Sequence, residues 1–156
     1  MNARPGLNVL NAKDGPLGTS DYRIQLEAIA LPNAKTFLHL AYSYGFNFAG
    51  RLAMQTYLAT LGRDKVGFTL TGKVNAGQGG YVGGMRGLVE RNAMRYYLAI
   101  GSFLESASTA SASQFENRLQ SWFTAVEQYP RQLHDMDRAE YVQMKRAENL
   151  RQRTVN

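Results

Sequence analysis

Apolar and polar side chains alternate most cleanly over residues 22–30, where Tyr-Arg-Ile-Gln-Leu-Glu-Ala-Ile puts every second side chain on the same face. That is the pattern of a half-buried strand, and Pro32 and Asn33 end it. The spacing changes after the turn. Phe37, Ala41, Tyr44 and Phe48 recur three and four residues apart, so 34–61 is predicted as a helix-compatible stretch that Gly45, Phe46 and Asn47 split in two. Gly62 follows where a left-handed helix cap belongs. Residues 66–71 return to alternation, with Val66, Phe68 and Leu70 opposed to Thr69 and Thr71, and predict a second short strand paired antiparallel with the first.

Seven glycines (Gly72, Gly77, Gly79, Gly80, Gly83, Gly84 and Gly87) mark 72–87 as a loop with unusual backbone requirements. A helix over 88–104 follows from the helical spacing of Val89, Ala93, Tyr96, Ile100 and Phe103. After the Ser/Ala/Thr-rich connector 106–113, Ser113 and Glu116 form a capping-box pattern. It opens a helix with the stripe Phe115, Leu119, Trp122, Phe123 and Val126, which Pro130 stops. Asp137 and Glu140 repeat the signature before a last helix, from 138 to about 153, with a basic end that suits the helix dipole. The first twenty residues show neither period, and their Gly, Pro, Asn and Asp content predicts an extended N-terminal arm.

The architecture expected from these elements is α+β and helix-dominated, with four or five helices and two or three short strands; an all-α packing is the alternative. Residues 21–156 are expected to form a single globular domain that ends in the basic helix, with 1–20 as the arm.

Composition narrows the classes. Hydrophobic residues make up 44% of the 156 positions and charged residues 19%, a balance that folds rather than stays disordered. The absence of cysteine excludes disulfides, thiolate metal sites and a cysteine nucleophile. No apolar run in the first twenty residues has the length of a secretory signal, and the apolar region 37–50 is interrupted by His39 and Asn47. A soluble, cytoplasmic protein with no membrane span is therefore expected. The net charge of +6 is spread along the chain, so electrostatics alone names no partner.

The strongest candidate chemistry is the order strand, glycine-rich loop, helix, in which amides at a helix start approach an anion. Lys73, Gly83, Gly84, Arg86, Arg91 and Arg95 form the candidate anion-binding set. Cations near a helix N-terminus oppose its dipole, so the arrangement calls for compensation by Glu90, Glu105 or Glu116, by solvent or by a bound anion. The loop lacks the Gly-Lys-Ser/Thr ending of a phosphate-binding loop and does not reproduce a dinucleotide fingerprint. His39 and His134 lie in different elements, and His39 reads as a hydrogen-bonded residue of an apolar helix rather than a catalyst. No metal site and no cofactor is expected.

The functional expectation is thus a non-enzymatic binding or assembly domain that recognises an anionic small molecule, nucleic acid or protein partner, with 37–61 as a candidate oligomer interface. The rivals are a small enzyme acting on a phosphorylated or carboxylated substrate and a nucleic-acid-binding protein; enzymatic activity itself is left undecided by the residues.

Overall fold

A computed structural model describes residues 6–15, 18–72 and 80–155. Among them run β1 (Gly6–Asp14), β2 (Thr19–Leu31), β3 (Lys35–Phe46), α1 (Phe48–Ala59), α2 (Gly84–Ser106), α3 (Ser111–Val126), α4 (Pro130–Leu133) and α5 (Arg138–Val155). The fold is α+β with helix in excess, as expected. Contacts fall into two compact units, 1–93 and 94–156, and α2 belongs to both.

In the first unit the strands form one antiparallel sheet in the order β1-β2-β3. Alternation over 22–30 does mark a strand. Its partners differ from expectation, because β2 pairs with β1 and β3 rather than with 66–71.

The stretch over 35–46 is the main correction, being strand and not helix. Leu38, Leu40, Tyr42, Tyr44 and Phe46 occupy every second position, with His39, Ala41, Ser43 and Gly45 between them. A run this dense in apolar residues also matches helical spacing by coincidence. The period of two prevails because three members meet an apolar partner across the ladder: Leu38 opposite Ala28, Leu40 opposite Leu26 and Tyr42 opposite Ile24. The same face carries an aromatic row in which Tyr22 stacks on Tyr44 at 5.4 Å, Tyr42 lies 5.5 Å from Tyr44, and Phe46 lies 6.2 Å from Tyr44. Asn33 and Ala34 turn the chain between β2 and β3 at φ 63° and 55°, in the left-handed region.

The predicted arm is also corrected, since Gly6–Asp14 is an edge strand, from Gly6 opposite Ala28 to Asp14 opposite Ser20. Its own pattern is weak. It pairs because β2 presents an otherwise open backbone edge.

Residues 66–71 form no strand. They run beside 80–82 through Gly67 N–H to Val82 O (2.6 Å), Val82 N–H to Thr69 O (2.8 Å) and the isolated bridge between Leu70 and Tyr81. Of the predicted helix pair over 34–61, only α1 exists, started by Asn47, whose side chain accepts from Gly50 N–H at 2.8 Å. Gly62 is not a left-handed cap; it is buried beneath Tyr57, where a Cβ would stand 2.8 Å from the ring.

The second unit is helical, and its core is Leu119, Phe123, Val126, Leu133 and Val142. The stripe read for α3 supplies three of these. Its capping box does not form: the helix starts at Ser111, Ser113 Oγ donates back to Ala110 O at 3.0 Å, and Glu116 binds Arg146 of α5 through two bonds of 3.1 and 2.7 Å. Tyr141 of α5 stacks on Trp122 of α3 at 4.8 Å.

Candidate functional site

Glu90 lies one helical turn after Arg86 on α2, on the side that meets residues 66–69. One of its oxygens accepts the backbone N–H groups of Phe68 (2.7 Å) and Thr69 (2.9 Å). The other accepts Thr69 Oγ1 (2.7 Å) and Arg86 Nε (3.0 Å). Two amides, a hydroxyl and a guanidinium converging on one carboxylate are the donor set of an anion site, and the chain's own Glu90 fills it. Burial raises the Glu90 pKa, but the bonds from Thr69, Phe68 and Arg86 together outweigh it and hold the group below the ordinary carboxylate value. Gly67 and Gly87 allow this approach, because a Cβ on Gly67 would lie 2.5 Å from Glu90 Oε2 and one on Gly87 would lie 3.0 Å from Gly67 N.

The predicted anion set divides among separate partners. Gly84, at φ +58°, is the first residue of α2, and Gly83 O accepts Gly87 N–H at 3.1 Å. Arg86 binds Glu90 and Thr69. Arg91 is buried, only 1% exposed, and donates to Val66 O at 3.4 Å. Arg95, in the second unit, meets Asp135 Oδ2 at 2.5 Å and Leu133 O at 3.4 Å. Lys73 lies outside the described residues. The compensation that the sequence called for is thus supplied by Glu90 for Arg86 and by Asp135 for Arg95.

His39 sits on β3 rather than on a helix and faces Glu27 across the ladder at 3.2 Å. His134 pairs with Glu127 at 3.0 Å. Among the described residues, no three His, Cys, Asp or Glu side chains converge on a point that would hold a metal. No helix among them is long and apolar enough to cross a membrane.

The chain matches no family model, no curated protein and no solved structure. Its own surface therefore carries the functional reading. Within 37–61, Phe37 is 51% exposed, Phe48 84%, Leu52 58% and Leu61 81%. On α1, Phe48 and Leu52 stand one turn apart on one open face, and Gly50 is that helix's buried residue. Exposed apolar groups clustered in this way mark an interaction surface. Sequence reasoning placed a candidate interface over the same residues but missed Glu90 as the occupant of the loop site. The only available signal was its position four residues after Arg86.

Proposed function

We propose that the chain is a non-enzymatic assembly domain that associates with a second copy of itself through the apolar surface of residues 37–61. One observation carries the reading: among the described residues of the first unit, the buried large apolar side chains are Val66 and Leu88, whereas Phe37, Phe48, Leu52 and Leu61 face solvent. A unit of this length needs a larger covered core than those two side chains supply.

Residues 1–93 hold ten of the basic and five of the acidic residues, an excess of +5. That charge opposes self-association, but it is screened beyond about 8–10 Å at ordinary ionic strength. Each large apolar side chain removed from water contributes roughly 1.5–3 kcal/mol, and each copy brings at least Phe48 and Leu52 of one α1 face. Apolar burial therefore outweighs the repulsion. Arg86 and Arg95 already meet carboxylates of the chain, which gives an anionic guest less to bind at the predicted glycine loop and arginine helix than the sequence promised.

The test is light scattering after size-exclusion chromatography. Wild type is expected near twice the 17.4 kDa of one chain, and Phe48→Glu combined with Leu52→Glu near a single chain mass with its circular dichroism retained. A wild type that keeps the single-chain mass up to its solubility limit overturns the proposal.

A further inference from the structure

The second unit contains a groove of about 400 Å³ between the 94–106 segment of α2, α3 and α5. That volume lies within the roughly 300–1,000 Å³ range that encloses small organic molecules. Its walls are largely aromatic: Phe103 from α2, Trp122 from α3 and Tyr141 from α5. The stacking of Trp122 on Tyr141, together with the indole N–H donated to Arg95 O at 3.3 Å, holds both rings in place along the groove.

Three cations border the groove, and they are not equivalent. Arg95 is paired with Asp135 and Lys145 with Glu148, at 2.5 and 2.8 Å. Arg118 meets no carboxylate among the described residues. Its Nε donates to Ser106 Oγ at 2.8 Å and its Nη2 to Gln114 Oε1 at 3.0 Å, both neutral acceptors. The guanidinium is laid over the Phe103 ring at 4.1 Å. Neutral acceptors and a ring face hold the fork in place without cancelling its charge, which leaves it set for an anion.

Ser102 supplies a second, independent observation. It is 4% exposed, lines the groove, and its hydroxyl makes no hydrogen bond among the described residues. A helical serine can satisfy itself on its own backbone, as Ser106 does on Phe103 O at 2.8 Å. Ser102 does not. A hydroxyl that lines the groove and holds no acceptor of the chain is free to donate to a guest. Ser102 and Ser106 are one helical turn apart, so the hydroxyl and the Arg118 fork that Ser106 holds lie on the same face of α2.

We infer that this groove is a binding site for a small aromatic acid, with the anionic group on the Arg118 guanidinium and the Ser102 hydroxyl and the ring system against Trp122 and Tyr141. One uncompensated cation beside a groove of about 400 Å³ fits a single compact anion rather than a polyanion strand, which requires a row of cations. This site is independent of the association surface at 37–61, which belongs to the other unit.

Trp122 is the single tryptophan of the chain, so its emission reads the groove directly. The probe is naphthalene-2-carboxylate, compared with its neutral analogue 2-naphthalenemethanol and with inorganic phosphate. The carboxylate is expected to change Trp122 emission saturably, with the alcohol and phosphate each at least about tenfold weaker. Arg118→Gln is expected to weaken the carboxylate at least about tenfold and to leave the alcohol unchanged. Ser102→Ala is expected to weaken the carboxylate about threefold to tenfold while the Tm of the free protein stays level, because the hydroxyl holds no partner of the chain. Three results overturn the inference: no saturable response to the carboxylate, equal affinity for acid and alcohol, or a Tm lowered by Ser102→Ala. Should Arg118→Gln fail to fold, the acid-to-alcohol ratio in wild type and the Ser102→Ala measurement still decide.

Discussion

Glu90 accepts four hydrogen bonds from its own chain, which makes it the side chain on which the 66–69 segment depends most. Glu90→Ala leaves the N–H groups of Phe68 and Thr69 without their acceptor and is expected to cost about 1–3 kcal/mol, measured by chemical denaturation at neutral pH. The sign of the pH dependence follows from the lowered pKa. The contribution is complete above the unfolded carboxylate value of about 4.3 and is lost as pH falls through the lower folded value. Glu116 and Glu148 are lowered as well, so the stability difference between wild type and Glu90→Ala, which isolates Glu90, is expected to shrink on acidification below that value. A difference that stays constant down to the acid transition contradicts the assignment. In the sequence, the i,i+4 spacing of Arg86 and Glu90 was legible as one source of compensation. The two backbone amides were not, because they come from residues more than twenty positions away that no local pattern links to α2.

Between elements, close backbone approach and turn conformation decide where the chain tolerates change. Gly87 lies against the 66–69 segment, and a Cβ there would stand 2.9 Å from Val82 O and 3.0 Å from Gly67 N, both backbone atoms that cannot swing aside. Gly87→Ala is expected to destabilise by about 1–3 kcal/mol in the same denaturation assay, despite the better helix propensity of alanine. The hairpin turn predicts the opposite sign. Ala34 holds φ 55°, a conformation that disfavours any residue with a Cβ, so Ala34→Gly is expected to raise stability by about 0.5–1 kcal/mol after the entropy that glycine adds to the unfolded chain. A lowered Tm in this variant contradicts the turn geometry. The glycine density of 72–87 and the stripe of α3 were readable because they are local. The identity of β3 was not, since Phe37, Ala41, Tyr44 and Phe48 satisfy helical spacing while the residues between them satisfy a period of two. Only β2, bringing Leu26 and Ile24 opposite Leu40 and Tyr42, resolves the two.

Across the whole chain, burial and charge are unequally shared. The buried apolar side chains concentrate in α3, α4 and α5, while Ile24, Leu26, Leu38 and Leu40 of the sheet stay half-buried and Phe48 and Leu52 of α1 are exposed, and most of the positive excess lies in 1–93. If association through 37–61 is apolar and opposed by charge, raising the salt from about 0.1 M to 1 M, which shortens the screening length from about 10 Å to 3 Å, is expected to strengthen it. Sedimentation velocity across that range checks this, and dissociation on adding salt would assign the contact to ion pairs instead. Fold class was legible because helix and strand content follow from local periodicity. The inequality of burial was not, because it depends on which faces find partners. One further consequence follows from the aromatic row of Tyr22, Tyr42 and Tyr44 on the sheet. Rings packed closely in an asymmetric setting give strong near-ultraviolet ellipticity, whereas the indole glows from among the helices, so two optical channels in one melt distinguish a chain that loses order in a single step from one that loses it in two.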